Sequence, residues 1–514
     1  MSEMHKVAQW SDLKVDRPMR VEVQGRKIIL VRDSQDVHAF GAECPHAGAP
    51  LDGGAVCNGR IVCPWHKGSF RVSDGALLEP PALDGLIHYP AQRKDDEVWI
   101  SIDPVKAHHE NPAVETRIFA IVGGGAAGTC AAAALREGGF SGEIVLIGEE
   151  PHLPYDRTSL SKFVVAGDMP LADVPLLRDR TFFSHHHIRL ETGEAIRLDA
   201  KNKTIAITNG RTLTYDMALV APGGRPNALP VPGAELPGVH MLRNMADAAA
   251  ILADVEVAQR AVIVGNSFIG LEAASALRKR NVEVIVIAPD DIPFARQFGT
   301  ELGAMFKHLH EAHQVKFLQG KVARFEGRMG VETVLTDDGE CVPADLVIVG
   351  TGIRPATEFI EGIALREDGG IAVDAGMRAA DGLYATGDVA AFVLDAASEP
   401  VRIEHWRVAQ QQARLAAANM LGAQEHYSGV PFFWTYHYGK RFEYLGHAQQ
   451  WDEIVIDGDP EQQKFIALFV KNQNVVAILA CERERATASL IVLMRERLTK
   501  EKALEVIRAA DARS

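Results

Sequence analysis

The chain has 514 residues, 47% hydrophobic and 24% charged, which is the composition of folded globular protein and too long for one core, so three or four domains are expected. Its 54 Lys and Arg against 68 Asp and Glu leave a formal charge of −14, a sign that repels nucleic acid and anionic lipid; neither is an expected partner. No run approaches the length of an apolar membrane span, and the start lacks the apolar core of a signal peptide, so a cytoplasmic protein is expected, with six cysteines too sparse for a disulfide framework.

From Val21 to Ile102 the sequence runs in short, often β-branched segments, VEVQGRKIILVRD, RIVCPWHKGSF and DEVWISID, broken by Gly, Pro and Asp. This reads as a small all-β module over 1–105, followed by a Pro-containing linker over 106–116 that leaves a mobile module open. From Arg117 the texture becomes RIFAIVGGGAAG, an Ala-rich helix to about Glu137, then EIVLIGEE, which is one strand–helix–strand unit. AVIVGNSFIGLEAASALRKR followed by VEVIVIAPDD makes a second. Glycine turns end further apolar strands in ALVAPGGRP, DLVIVGTGIRP and GLYATGDVA. The last part, from about Val430, alternates FEYLGHA, KFIALFV and VVAILA with a helical ASLIVLMRERL. The expected architecture is a multidomain α/β plus β chain: an N-terminal all-β domain, two Rossmann-like domains (117–225 with 350–429, and 226–349), and a C-terminal α+β domain over 430–514.

Two short patterns carry metal chemistry. Cys44-Pro-His46 and Cys63-Pro-Trp-His66 present two thiolates and two imidazoles from turn-rich loops. A [2Fe–2S] cluster can use that set asymmetrically, two Cys on one iron and two His on the other, which is the Rieske arrangement. Structural zinc also takes two Cys and two His, but usually with longer His spacings on a helix, and the Rieske reading is preferred. The segment resembles the Rieske ferredoxins of oxygenase systems. Respiratory Rieske proteins carry two further cysteines, at positions that here look to be Ala49 and Trp65. The resemblance therefore implies the subtype near the bottom of the range of about −150 to +300 mV. Cys57 has no pair and reads as structural.

Gly123-x-Gly125-x-x-Gly128 follows a strand and opens a helix, and Glu149 closes the next strand. Gly123 permits the turn, Gly125 admits a pyrophosphate to the helix N-terminus, and Glu149 can accept from ribose hydroxyls. With Asp388 after a distant apolar strand as partner for a polyol chain, the combination suggests FAD. The second turn, Gly265-Asn-Ser267-Phe268-Ile269-Gly270, has serine where glycine is usual, which admits phosphate with more crowding. The expected acidic residue after its second strand is Ala288. Asp290, Asp291 and Arg296 stand nearby, so NADH and NADPH both stay open, with NADH preferred because no basic cluster stands at the strand end.

Over about Arg117 to the C-terminus the chain resembles FAD-dependent pyridine-nucleotide reductases of the apoptosis-inducing-factor and ferredoxin reductase group, and most closely the branch with an N-terminal Rieske domain. The strings that carry this are VGGGAAG, LIGEEPHLPYDRTSLSK, VGNSFIGLE, VGTGIRP, GLYATGDVA, EHWRVAQQQARLAA and PFFWTYHYGK. The resemblance implies Arg157 and Lys162 beside FAD, Glu272 near the nicotinamide and Lys162, Asp388 on the ribityl chain, Trp406 near the isoalloxazine, and Ala195 as a backbone contact to adenine. It also implies cofactor contacts at Ala127 and Gly223 for FAD, and at Gly265, Ser267, Phe268, Ile269, Gly270 and Gly352 for the nicotinamide nucleotide. Ala221-Pro222-Gly223 departs from the usual Ala-Thr-Gly.

Hydride carries two electrons and a Rieske cluster accepts one, so a flavin has to intervene. The expected function is an NAD(P)H-dependent reductase, with Lys162 and Glu272 as catalytic pair, that passes electrons through FAD to the cluster and on to an unidentified protein acceptor such as an oxygenase component or cytochrome. The alternative is a redox-sensing flavoprotein whose NADH-bound state changes partner or dimer formation, and a homodimer is compatible with either. Without the resemblance, Lys162 and Glu272 read as an ordinary exposed ion pair. Cys130, Cys341 and Cys481 read as fillers of small apolar sites, His185, His186 and His187 as a solvated turn, and His405 as a hydrogen-bonded structural histidine.

Overall fold

The computed structural model describes residues 3–15, 17–34, 36–105, 115–394 and 399–512; nearly all of the expected linker, 106–114, lies outside the described residues. The N-terminal module is all β. Its first strand, Met4–Gln9, pairs antiparallel with its last, Glu97–Ser101, and so precedes the Val21 start expected from sequence. That strand is half-buried and weakly patterned, and only pairing with a distant partner reveals it. Two four-stranded sheets complete the module. One contains Met19–Val23, Arg26–Arg32, Val37–Gly41 and His88–Tyr89, and the other Ala55–Cys57, Arg60–Val62, Ser69–Arg71 and Leu77–Glu79.

The first nucleotide-type domain is built on Ile118–Val122, whose FAIV stretch is buried on both faces. It pairs in parallel with Glu143–Gly148 on one side and Met217–Val220 on the other, as such fully apolar strands must when helices cover both faces. The helix Ala126–Glu137 lies between those first two strands in sequence and packs on the helix Trp406–Met420, their small side chains letting the backbones approach. A second parallel sheet, five strands in the order Val239–His240, Leu346–Val349, Arg260–Val264, Glu283–Ala288 and Val315–Gln319, forms the other nucleotide-type domain.

The C-terminal domain is a five-stranded antiparallel sheet covered by the helices Glu484–Leu493 and Lys500–Asp511. Its core is continuous with the N-terminal module: Ala55 and Val62 pack in one cluster with Phe432, Trp434 and Leu445. The β module thus docks on its own chain. No helix among the described residues is long and apolar enough to cross a membrane.

Candidate functional site

The loops at the end of the N-terminal module bring Cys44, His46, Cys63 and His66 together. Backbone bonds set each loop: Cys44 N–H donates to Ala49 C=O at 2.8 Å, and Cys63 N–H to Gly68 C=O at 2.8 Å. Both thiols are buried and hydrogen-bonded to each other, a contact that raises Cys44; burial raises Cys63 too, but Cys44 and the amides of His66 and Trp65 outweigh it, leaving it at about 7. The imidazoles face each other with their Nδ1 atoms 3.0 Å apart. Burial holds both rings below the ordinary imidazole value, opposed at His46 by Asp156 and reinforced at His66 by His46, Arg441, Lys67 and Lys162, so both are neutral donors.

The donor set therefore falls into a sulfur pair and a nitrogen pair. Among the described residues no three His, Cys, Asp or Glu side chains converge on one point as a mononuclear ion needs. Two pairs of unlike softness fit a two-iron cluster ligated by Cys on one iron and His Nδ1 on the other.

Beside the loops lies a buried ionic network that sequence reading missed. Lys67 is fully buried, donates to Pro64 C=O, and bonds Glu443 at 2.9 Å; Glu443 also accepts from Thr487 at 2.8 Å. Arg407 donates to Pro80 C=O at 2.7 Å, Lys67 C=O at 3.1 Å and Val430 C=O at 3.0 Å, and faces Glu79. Burial raises Glu79, but Arg407, Arg495 and Gln411 together hold it below the usual carboxylate range. These charges, drawn from three stretches of chain, fix the module both to the helix Trp406–Met420 and to the C-terminal domain. The mobile module left open by the linker is replaced by a docked one.

His66 packs against Trp434, ring centroids 4.3 Å apart. Lys162 Nζ stands 5.8 Å from the same indole and bonds Glu272 at 3.0 Å. The pair is buried, with Glu272 2% exposed, rather than an ordinary surface ion pair. Glu272 also accepts from Ser161 at 2.5 Å, Thr435 at 2.7 Å and the Tyr436 amide at 3.2 Å. Burial pushes its carboxyl up, and Lys162, His437, Ser161 and Thr435 more than offset this, so it is held ionised. Trp434 was legible only as one aromatic in PFFWTYHYGK. Its signal was period-two spacing with Phe432, which puts both on one strand face.

The first glycine turn is shaped for close approach. A Cβ on Gly123 would meet Ala221 O at 2.1 Å, and one on Gly128 would meet Gly123 O at 1.9 Å, whereas one on Gly125 would meet nothing within 4 Å. Two glycines thus serve packing, and the third leaves room at the N-terminus of the helix Ala126–Glu137, where a pyrophosphate fits. Ala127 is buried in that helix, and Glu149 is exposed at the end of the next strand. In the second turn Gly265 has φ +99°, and the Ser267 hydroxyl turns back to accept from Gly270 N–H at 3.2 Å. Its hydroxyl caps the helix Phe268–Lys279. Phe268 stacks on Phe294, Ile269 is exposed, and Gly352 adopts φ +89° beside Asn227.

Asp388 bonds Arg243 at 3.0 Å, and a Cβ on Gly223 would meet that guanidinium at 2.7 Å. Arg157 donates to Arg243 C=O at 2.9 Å and pairs with Glu150 at 2.9 Å. Arg243, unmarked by any motif, thus ties Arg157, Gly223 and Asp388 into one patch. Ala195 is buried at the start of the strand Ala195–Asp199. Buried polar atoms without partners in the protein cluster nearby in sequence: Thr386 Oγ1, His405 Nδ1 and Trp406 Nε1. Such orphans are costly unless a bound group satisfies them, and these three would suit a polar bound group such as a flavin. His405 Nδ1 therefore corrects the expected hydrogen-bonded histidine. Cys130 and Cys481 are buried as expected, but Cys341 is exposed, because its strand Cys341–Pro343 buries Val342 instead. His185, His186 and His187 are exposed.

The sequence pattern of the family "Pyridine nucleotide-disulphide oxidoreductase" matches residues 118–413. The chain belongs to this family. The Rieske [2Fe-2S] domain pattern matches residues 3–90 of the reductase, and the "Reductase C-terminal" pattern residues 432–513. The reductase is 34% identical over 497 residues to apoptosis-inducing factor 3 of Mus musculus, covering 92% of this chain and 80% of the relative. It is 36% identical over 353 residues to the biphenyl dioxygenase system ferredoxin–NAD(+) reductase component of Paraburkholderia xenovorans, covering 68% of this chain and 86% of that one. Its fold superposes on the covalent putidaredoxin reductase–putidaredoxin complex with TM-score 0.71 at 29% identity, over 77% of this chain and 99% of that one. The reductase is an FAD-dependent NAD(P)H oxidoreductase with a Rieske [2Fe–2S] cluster and mixed α/β and β architecture.

Proposed function

We propose that this reductase oxidises NADH beside Lys162 and Glu272, sends the electrons singly past Trp434 to the cluster in its own chain, and delivers them to an external protein acceptor. The observation that carries this reading is the place of Trp434, whose ring touches the His66 ligand and lies beside Lys162. The reading divides the chain as 1–105, linker 106–116, FAD-binding 117–225 with 350–429, NAD(P)H-binding 226–349, and 430–514.

FAD, when bound, supplies the conversion of a hydride pair into single electrons. The chain's own groups supply the rest. Lys162 holds a positive charge where negative charge develops, and Glu272 aims the ammonium. Gly125 would admit the pyrophosphate to a turn that Gly123, Ala127 and Gly128 close by packing, and Glu149 would accept from the ribose. Arg157, Ala195, Gly223, Asp388 and Trp406 line the flavin. Gly265, Ser267, Phe268, Ile269, Gly270 and Gly352 receive the nicotinamide nucleotide. Asp290 and Asp291 stand past the second strand, with Arg296 drawn toward Asp290 at 3.7 Å, so carboxylates oppose a 2′-phosphate and favour NADH over NADPH.

Relatives whose names place them in dioxygenase systems support an oxygenase-type acceptor, and a cytoplasmic place suits the free thiols. An anaerobic NADH titration followed by visible absorption and electron paramagnetic resonance tests the reading. NADH bleaches the flavin and then gives the reduced-cluster signal. In Cys63→Ser the first step survives and turnover of a one-electron acceptor is lost; unchanged acceptor turnover overturns the route.

A further inference from the structure

Behind Glu272 runs a line of buried polar groups that the electron path does not use. Thr435 Oγ1 lies 2.7 Å from Glu272 Oε1 and 2.9 Å from His437 Nε2. His437 Nδ1 lies 3.3 Å from His310 Nε2, and His310 Nδ1 lies 2.9 Å from the Tyr438 hydroxyl. Thr435 and His437 share a face of the strand Phe432–His437, and His310 comes from the helix Ala295–Ala312. Thr435, His437 and His310 are at most 1% exposed. Tyr438 is half-buried, with its ring stacked 3.6 Å from exposed His313.

We propose that Thr435, His437, His310 and Tyr438 form a proton relay between Glu272 and solvent. One arrangement of hydrogens satisfies every link: Tyr438 O–H donates to His310 Nδ1, His310 Nε2–H to His437 Nδ1, His437 Nε2–H to Thr435 Oγ1, and Thr435 O–H to Glu272 Oε1. A proton arriving from water on the Tyr438 oxygen displaces Tyr438's own proton to His310. His310 passes its Nε2 proton to His437, His437 passes its Nε2 proton to Thr435, and Thr435 passes its proton to Glu272. Glu272 ends neutral, every link is reversed, and the same shifts backwards return a proton to water. The two orientations of the chain are therefore the two protonation states of Glu272, and they interconvert without a side chain turning.

The reaction needs such an exit. NADH becomes NAD+ and yields two electrons and one proton; the electrons reduce two equivalents of the one-electron acceptor, and the proton has to reach water from a closed site. Burial keeps both imidazoles uncharged. It brings His437 down to about 4 against the pull of Glu272 and of the Leu271 carbonyl, which also faces the ring, and with the push of Lys162, and it lowers His310 with His437 and His313 adding. Arg278 is the charge that acts on Tyr438, whose phenol burial raises. No resident imidazolium thus interrupts a neutral hop. The inference rests on the reading that Lys162 and Glu272 flank the flavin, where negative charge drawing Lys162 away raises the carboxylate's affinity for a proton.

Nitrogen-15 NMR of the imidazoles in the oxidised holoprotein near neutral pH tests the chain directly. His437 and His310 are both expected neutral with the proton on Nε2; Nδ1 protonation or a cationic ring overturns the relay. Stopped-flow reduction by NADH with a pH-indicator dye supplies the second readout. Thr435→Val and His310→Phe, taken separately, are expected to slow proton exchange at least about tenfold while the flavin spectrum and NADH affinity hold, with Thr435→Ser restoring the rate. Wild-type proton rates in both cut variants overturn the relay, and if one variant does not fold the other and the ring-nitrogen spectra decide. Lys162→Met reduced by NADH at the wild-type rate would instead overturn the placement of the flavin, a result the ring-nitrogen spectra do not share.

Discussion

The imidazole of His66 lies 4.3 Å from the indole of Trp434, although they are 368 positions apart in the chain. The contact joins a cluster loop of the N-terminal module to the first strand of the C-terminal sheet. It exists because Lys67, the residue after His66, is buried against Glu443 on the neighbouring strand of that sheet.

Trp434→Ala separates the two half-reactions. Flavin bleaching by NADH is expected to change little, while arrival of electrons at the cluster slows about tenfold or more, equivalent to ~1.4 kcal/mol on the barrier. Rapid-freeze paramagnetic resonance reads the second step and stopped-flow absorbance the first. Equal slowing of both would count against Trp434 as the bridge.

Two glycines three residues apart are expected to fail in different ways. Gly125→Ala adds a methyl where the protein has open space, so the chain folds but binds FAD weakly. Gly128→Ala drives a methyl into Gly123 O, so stability itself drops, by about 1–3 kcal/mol as overpacking does. Urea unfolding of the apoproteins with flavin fluorescence titration distinguishes the outcomes, and the opposite ranking would refute the packing argument.

Arg407→Met removes one cation from a buried set and leaves Glu79 to Arg495, Gln411 and the charge of Arg60. Breaking a buried pair at one partner costs about 3–5 kcal/mol, and Arg407→Met with Glu79→Gln should recover part of it. Urea unfolding followed at the cluster band and the flavin band checks this. The single variant is expected to release the cluster transition before the flavin transition, since Arg407 holds Lys67 and Pro80 of the module.

Acid stability is expected to follow the buried histidines. Burial, with His447 adding, brings His405 to about 3, and burial brings His437 to about 4, both from an ordinary 6.5. The unfolded chain binds these protons first, so the stabilisation is full above 6.5 and is lost as pH falls toward 4 and then 3. Each group contributes a slope of up to ~1.4 kcal/mol per pH unit. The melting temperature should therefore fall through that window, and less steeply in His405→Gln; an equal slope in the variant would sink the assignment.

Cofactor chemistry was legible in sequence because it depends on local patterns. A glycine turn between a strand and a helix, or Cys and His spaced two or three residues apart in a loop, is fixed by backbone geometry over a few residues, and the turns and ligand loops lie where those patterns put them. What lay outside that reach was set by long-range contact. The strand Met4–Gln9 needs a partner near residue 100, His405 Nδ1 is orphaned by burial alone, the period-two spacing of Trp434 with Phe432 gives its strand face but not its contact with His66, and Arg243, Lys67, Glu443 and Arg407 match no spacing rule. The amino-acid order by itself determined which redox groups this protein holds. Only the tertiary structure decided that the Rieske module sits against its own reductase, because Lys67 with Glu443, 376 residues apart, and Glu79 with Arg407, 328 apart, are buried charges that cannot be left unpaired in a low-dielectric interior.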